Sequence, residues 1–379
     1  MKKRVLVGLS GGVDSAIAAK LLIEQGYEVV GCFMRNWDSS TNNDIFGNPT
    51  VNDNICPQEI DYLDAKKVSE QLGIELIRVD FINEYWNHVF KYFITEYQKG
   101  RTPNPDILCN KFIKFDYFLK YALANNFDYI AMGHYCGIKH TRKGSFLLKA
   151  RDTNKDQTYF LSQLNQQQLS KSLFPLANYQ KAEVREYAKK LSLAIATKKD
   201  STGICFIGER NFKDFLSNYL PAQPGNIVDY KSKRVIGQHV GTMYYTIGQA
   251  RGLGIGGQKN FSGARWYVIG KNLENRILYV SNDSSNEYLK SDQVLITNIT
   301  INNSEFIGIK NCNAKFRYRQ PEYSVKIEWL NETEAYVFSD ELPLAITTGQ
   351  ACAFYQDEYC LGGGTIDKVF YRGQELSYE

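Results

Sequence analysis

Close to the N-terminus the chain reads Gly8-Leu9-Ser10-Gly11-Gly12-Val13-Asp14-Ser15, directly after a buried-looking apolar run from Val5 to Leu9. Adjacent glycines free the backbone to aim N–H groups at an anion. Ser10 and Ser15 add hydroxyls, and a helix starting there adds its positive end. The run lacks the lysine of a GxxxxGK[ST] loop, and Ser10 stands where GxGxxG needs its second glycine, so neither of those phosphate loops fits. On the residues alone it is either a different phosphate cradle or a tight strand-to-helix turn with Ser and Asp as caps. Asp14 beside phosphates would repel them unless it held Mg²⁺, which makes it the candidate metal contact.

Two further segments place a cysteine in a loop. Arg101-Thr102-Pro103-Asn104-Pro105-Asp106-Ile107-Leu108-Cys109-Asn110-Lys111 is stiffened by its prolines and delivers Cys109 just ahead of a helix expected from about Lys111. A helix dipole and nearby lysines would lower the thiol pKa from ~8.5 and favour the thiolate. Asp106 could accept a proton or hydrogen-bond a base edge. In Asp200-Ser201-Thr202-Gly203-Ile204-Cys205-Phe206-Ile207-Gly208, Cys205 lies between glycines in a loop able to approach another closely. Each cysteine alone reads equally as packing. As a pair they suit a mechanism in which one sulfur is delivered and the other resolves it as a transient disulfide.

Elements that position these residues follow from periodicity. Val5–Leu9, Val29–Met34, Ile74–Val79 and Tyr129–Met132 read as buried strands, alternating with helical spacing over Val13–Gln25, Pro57–Leu72, Tyr85–Tyr97 and Phe112–Ala124. That alternation predicts an α/β fold with a parallel sheet covered on both faces and ligands at the carboxyl ends of its strands. Beyond about residue 208, Pro221, Pro224, Gly225, Gly237, Gly241 and the stretch from Gly248 to Gly257 punctuate short apolar runs, predicting a small β-rich unit. From about Asn275 short alternating strands such as Val294–Ile299, Ser324–Trp329, Ala335–Phe338 and Ala351–Tyr355 predict a closed barrel. Lys315-Phe316-Arg317-Tyr318-Arg319 reads as a strand with three cations on one face and two aromatics on the other, suited either to phosphates or to a solvated surface. Lys139, Arg142, Lys143, Lys149 and Arg151 form a second basic run that a charged hairpin explains as well.

Composition sets outer limits. At ~150 residues per domain, 379 residues suggest two or three domains. Hydrophobic residues at 43% and charged residues at 23% exclude a disordered or fibrous chain. The excess of 45 Lys and Arg over 41 Asp and Glu, +4, is too small to argue for or against nucleic acid. Eight cysteines without a CxxC disfavour zinc frameworks and disulfide scaffolds, and four scattered histidines offer no metal site. No apolar run is long enough to span a membrane, and the first residues lack signal or transit character, so a cytoplasmic, reducing compartment is expected.

The Gly8–Ser15 segment resembles the pyrophosphate loop of the N-type ATP pyrophosphatases, which cleave ATP between the α and β phosphates and hand AMP to a substrate oxygen. With the two cysteine segments come Gly133-His134-Tyr135, Lys155-Asp156-Gln157-Thr158-Tyr159-Phe160-Leu161, Gly237-Gln238-His239-Val240-Gly241, Tyr245-Thr246-Ile247-Gly248-Gln249, Arg317-Tyr318-Arg319-Gln320 and Thr348-Gly349-Gln350-Ala351. As an ordered series these resemble the bacterial tRNA-specific 2-thiouridylases over the whole chain. Thr158 departs where Ser is common, and Ala250 where a basic residue often stands.

That resemblance implies an ATP pyrophosphatase (HUP-like) domain over 1–208, a small β-rich central domain over 209–274 and a tRNA-binding β-barrel over 275–379. It implies ATP contacts at Gly8, Leu9, Ser10, Gly11, Gly12, Val13, Asp14, Ser15, Met34 and Gly133, with Mg²⁺ accompanying the phosphates. It places Asn104, Pro105 and Asp106 at the target base, and further tRNA contacts at His134, Lys155, Asp156, Gln157, Arg317, Tyr318 and Gln350. The persulfide falls on Cys205 and the nucleophile on Cys109, with Asp106 the candidate base. The implied reaction adenylates the C2 oxygen of a flipped wobble uridine and replaces it with sulfur. Implied partners are tRNAs for Lys, Glu and Gln, and a cysteine desulfurase or sulfur-relay protein. A ligase acting on a small carboxylate or xanthosine would share the loop but has no need of Cys109 and Cys205. A tRNA-binding protein without turnover would have no need of an intact Asp14 or of the two thiols.

Overall fold

The computed structural model describes residues 2–50, 52–53, 57–200, 203–204, 207–255 and 265–376. The first unit contributes strands β1 (Arg4–Gly8), β2 (Glu28–Arg35), β3 (Leu76–Asp80), β4 (Tyr129–Ala131) and, after the hairpin β5 (Gly137–Thr141) and β6 (Gly144–Leu148), β7 (Ser172–Leu173). A five-stranded sheet runs in the order β3-β2-β1-β4-β7, and every pairing in it is parallel. Alternation along β1 explains its burial on both faces. Val5 and Val7 belong to one core cluster with Ala19 and Leu22 of the helix Val13–Glu24 and Ala65 of the helix Pro57–Leu72, while Leu6 belongs to another that includes Tyr85, Phe90 and Phe93. The chain winds outward from β1 to β3 and then returns to β4 on the opposite side of β1. The crevice between the carboxyl ends of β1 and β4 is therefore the switch point at which such sheets bind ligands.

A four-stranded sheet follows, formed by β8 (Gly225–Asp229), β9 (Val235–His239), β10 (Tyr267–Asn272) and β11 (Ile277–Ser281) in the order β10-β11-β8-β9. Because β11 pairs in parallel with β8, this sheet extends to Ser281, a few residues past the change in sequence pattern near 275. The remaining strands are β12 (Gln293–Ile301), β13 (Asn311–Lys315), β14 (Tyr323–Trp329), β15 (Ala335–Phe338), β16 (Ala351–Gln356) and β17 (Tyr359–Tyr371). They run β12-β15-β14-β13-β16-β17 and close through a β12–β17 pairing into an antiparallel six-stranded barrel. Its interior is filled by Val294, Ile296, Phe316, Ile327, Val337, Phe354 and Ile366. β6 adds to the outside of β17, pairing Leu148 with Tyr359, so a hairpin that leaves the parallel sheet continues the barrel's ladder. No helix among the described residues is long and apolar enough to cross a membrane.

Two local expectations are corrected. The helix expected from Lys111 begins at Pro105, whose fixed φ suits a first helical position, with the Asn104 side chain accepting from Ile107 N at 3.4 Å. Cys109 thus lies one turn inside a helix, at the start of a π segment over Cys109–Tyr117. The strand expected over Lys315–Arg319 ends at Lys315, the last residue of β13. Phe316 turns into the barrel core and Arg317 turns inward, and Pro321 supplies no N–H with which a ladder could continue. The cations of the 139–151 hairpin include three with acidic partners: Lys143 with Glu305, Lys149 with Glu322 and Arg151 with Glu183.

Candidate active site

The Gly8–Ser15 segment leaves β1 at the switch point, and its glycines are required by what surrounds them. Gly11 has φ +73°, and a Cβ there would lie 2.2 Å from the Asp61 carbonyl oxygen on the neighbouring helix. A Cβ on Gly133, just past β4, would lie 2.8 Å from Asp14 C and Ser15 N, so the two loops of the crevice touch backbone to backbone. Gly8 faces the side chains of Met132 and Met34, which brings the expected Met34 to the floor of the same crevice. Ser15 Oγ accepts from Ser10 N at 3.2 Å and donates to the Gly12 carbonyl at 3.0 Å, fixing the curve of the loop. Gly12 caps the helix Val13–Glu24 without any side chain on its first amides, leaving that positive end for an anion.

Asp14 is not a bare carboxylate beside phosphates. Lys181 Nζ donates to both its oxygens, at 2.7 and 2.8 Å, and Tyr135 OH donates to Oδ1 at 2.9 Å. Lys181 also pairs with Asp200 at 2.8 Å, and Asp200 takes in Lys155 at 2.9 Å and Arg185 at 2.5 Å. Burial opposes the charge on Asp200, but Lys181 and Lys155 outweigh it and hold the carboxyl well below the usual range. Lys198 anchors the other side, donating to the Gly11 carbonyl at 3.1 Å and pairing with Asp61 and Asp64. Both Asp14 oxygens are engaged, and among the described residues no three His, Cys, Asp or Glu side chains are grouped as a metal site.

The Arg101–Lys111 segment is tied to the barrel. Cys109 is fully buried and Asp106 half-buried. Gln350 Nε2 donates to the Thr102 carbonyl at 2.8 Å, and Thr102 N donates to the Thr348 carbonyl at 2.9 Å. Cys205 lies outside the described residues. Its flanks are described: Gly208 N donates to the Ile204 carbonyl at 2.8 Å, and Asp200 at the near end is tied to the Lys181 network.

The expected tRNA contacts divide. Lys155 is partly exposed but held by Asp200, whereas Asp156 is 8% exposed, with its oxygens accepting from Ala150 N and Thr158 Oγ1. Gln157 Oε1 accepts from Tyr135 N at 2.9 Å. His134 is buried against Phe115 and Phe174, and its Nδ1 has no partner among the described residues; burial and then Lys114 push its pKa well below the ordinary value. Arg317 donates to the Ile247 carbonyl at 2.9 Å and to Thr347 Oγ1, joining the central sheet's connection to the barrel. Tyr318 lies 4.4 Å from the Phe160 ring.

Profiles of known families match three successive stretches of the chain. Residues 3–209 match the tRNA methyl transferase HUP domain, 213–282 the tRNA methyl transferase PRC-barrel domain and 291–366 the aminomethyltransferase beta-barrel domain. The tRNA-specific 2-thiouridylase MnmA of Mycoplasma mycoides subsp. mycoides SC is 56% identical over 377 residues, covering 97% of this chain and 100% of its own. Those of Metamycoplasma arthritidis and Bacillus pumilus are 53% and 51% identical, and each covers at least 98% of both chains. The chain belongs to the tRNA-specific 2-thiouridylase family. For this family member the sequence reading missed Lys181, Lys198 and Arg101. Lys198 and Lys199 directly precede Asp200 and its cysteine loop, a signal that was available; Lys181 lies in a polar helix with none.

Proposed function

We infer that this chain is an ATP-dependent tRNA 2-thiouridylase acting in a reducing, cytoplasmic setting. The observation that carries the reading is full-length family membership together with a loop whose helix end, glycines and Lys181-neutralised Asp14 suit the phosphates of ATP. In the proposed sequence the wobble uridine is flipped into the crevice and its C2 oxygen attacks the α phosphorus of ATP, forming an O–P bond as pyrophosphate leaves. Mg²⁺ belongs to this proposal only as the ion accompanying the phosphates.

The terminal sulfur of a Cys205 persulfide then forms a bond to C2 and AMP departs. Cys109 thiolate attacks Cys205 Sγ, the persulfide S–S bond breaks, and sulfur remains as the thiocarbonyl. The Cys109–Cys205 disulfide so formed is reduced by a thiol before the next turnover. Asp106 is the proposed base, Asn104 and Pro105 the proposed base contacts, and tRNAs for Lys, Glu and Gln the proposed acceptors. The sulfur comes from a cysteine desulfurase or relay protein in this reading.

A tRNA transcript incubated with ATP and a persulfide donor is expected to gain 2-thiouridine with wild type. Cys109→Ser and Cys205→Ser are expected to form product at least ~10³-fold more slowly, as for loss of a covalent nucleophile. Both variants thiolating at the normal rate would sink the thiol mechanism. Pyrophosphate release driven by a small carboxylate without tRNA would favour the ligase reading instead.

A further inference from the structure

The segment Gly100–Pro103, which leads into the Asn104 cap and the helix carrying Pro105 and Asp106, is held largely by residues of the other two units. Lys271 on β10 donates to the Gly100 carbonyl at 2.8 Å. Arg101 forms ion pairs with Glu96 at 2.7 Å and with Asp367 on β17 at 2.7 Å, and its Nη2 donates to the Ile366 carbonyl at 3.2 Å. Thr102 N, as above, bonds to Thr348, and a Cβ on Gly349 would lie 3.1 Å from the Thr102 backbone. Beside these same bonds lies a cavity of about 660 Å³ lined by Gly100, Lys271, Ile346, Thr347 and Thr348, so side-chain packing does not wedge the segment there. Directed bonds set its position. Arg101 is the member that reaches both ways: it shares the buried Glu96, 4% exposed at its side chain, with Lys99 at 3.2 Å, while Asp367 fixes the guanidinium to the barrel strand.

We propose that Arg101 is a positioning residue for sulfur transfer, registering Asn104–Asp106 against the barrel through Asp367. The proposal rests on the thiouridylase reading above. Its consequence is that a barrel carboxylate remote from ATP sets the rate of the base-directed steps, because a shift of about 1 Å in a reacting group costs on the order of 10²-fold.

The test is a double-mutant cycle on full-length protein with Asp367→Asn, Arg101→Gln and the two combined, together with Arg101→Lys. Single-turnover thiolation of a tRNA transcript is measured with ATP and a persulfide donor. Asp367→Asn is expected to lose roughly 10- to 100-fold in rate with the KM for ATP within about twofold and the melting midpoint within about 2 °C. The double variant is expected to be no slower than the slower single, and Arg101→Lys to recover part of the loss because it keeps the charge opposite Asp367. Asp367→Asn at the wild-type rate, or a double variant whose loss is the product of the single losses, would overturn the proposal. Wild type failing to thiolate tRNA at all would instead strike the functional reading.

Discussion

Asp14 and His134 illustrate what surroundings do to a titratable side chain. A carboxylate at the mouth of a phosphate cradle works against binding, yet Lys181 and Tyr135 leave Asp14 with its charge already answered. His134 has the opposite history: burial, helped by Lys114, keeps its imidazole neutral. Its folded pKa is lowered, so below the unfolded value of ~6.5 the unfolded chain takes up a proton that the folded chain refuses. Stability is therefore complete above ~6.5 and declines as pH falls, by at most ~1.4 kcal/mol per pH unit for this group. His239, shifted the same way by burial, adds to the slope, while the loss associated with Asp200 begins only below its ordinary 3.8. Urea unfolding between about pH 7 and about pH 5 should show this slope, and His134→Gln should make it shallower. An unchanged slope in that variant would remove His134 as its source.

Among the elements, the helix that carries Cys109 was read differently by pattern and by structure. Two prolines at 103 and 105 suggested an extended loop, but Asn104 followed by Pro105 is also a cap followed by a first helical residue, and that reading wins. Periodicity sees side-chain spacing and not which end of a proline pair faces a helix. The strand, turn and helix around Gly8–Ser15 were legible because a short apolar run, two glycines and a 3.6-residue period are all local. That Gly133 abuts the loop was not local at all. Gly133→Ala, whose Cβ would press on the backbone at Asp14 and Ser15, should weaken ATP binding by ~10-fold or more, measured by equilibrium titration, with the β-barrel's folding intact. Wild-type affinity in that variant would mean that the two loops can separate without consequence for the nucleotide.

At the scale of the molecule, the central sheet and the barrel converge on the catalytic unit through single polar residues, and Arg317 is the clearest. Expected as one of three cations on a strand face, it instead spans Ile247 and Thr347. Arg317→Ala should lower the unfolding free energy by ~1–3 kcal/mol without tRNA present, since the Ile247 carbonyl loses its donor, and a calorimetric scan of the tRNA-free protein checks this. A residue serving only tRNA would leave that scan unchanged. The near-neutral charge of +4 is consistent with this picture, in which many cations are already spoken for by neighbouring acids. By itself the sequence determined the parallel sheet, the phosphate loop, the β-rich second half and the two cysteine segments, because each is written in short-range spacing and residue type. Only the tertiary structure decided that Lys181 neutralises Asp14, that β17 accepts a hairpin from the first unit, and that Asp367 holds Arg101. Those are pairings between residues far apart in the chain, fixed by closure of the barrel and docking of sheets, for which no local pattern exists.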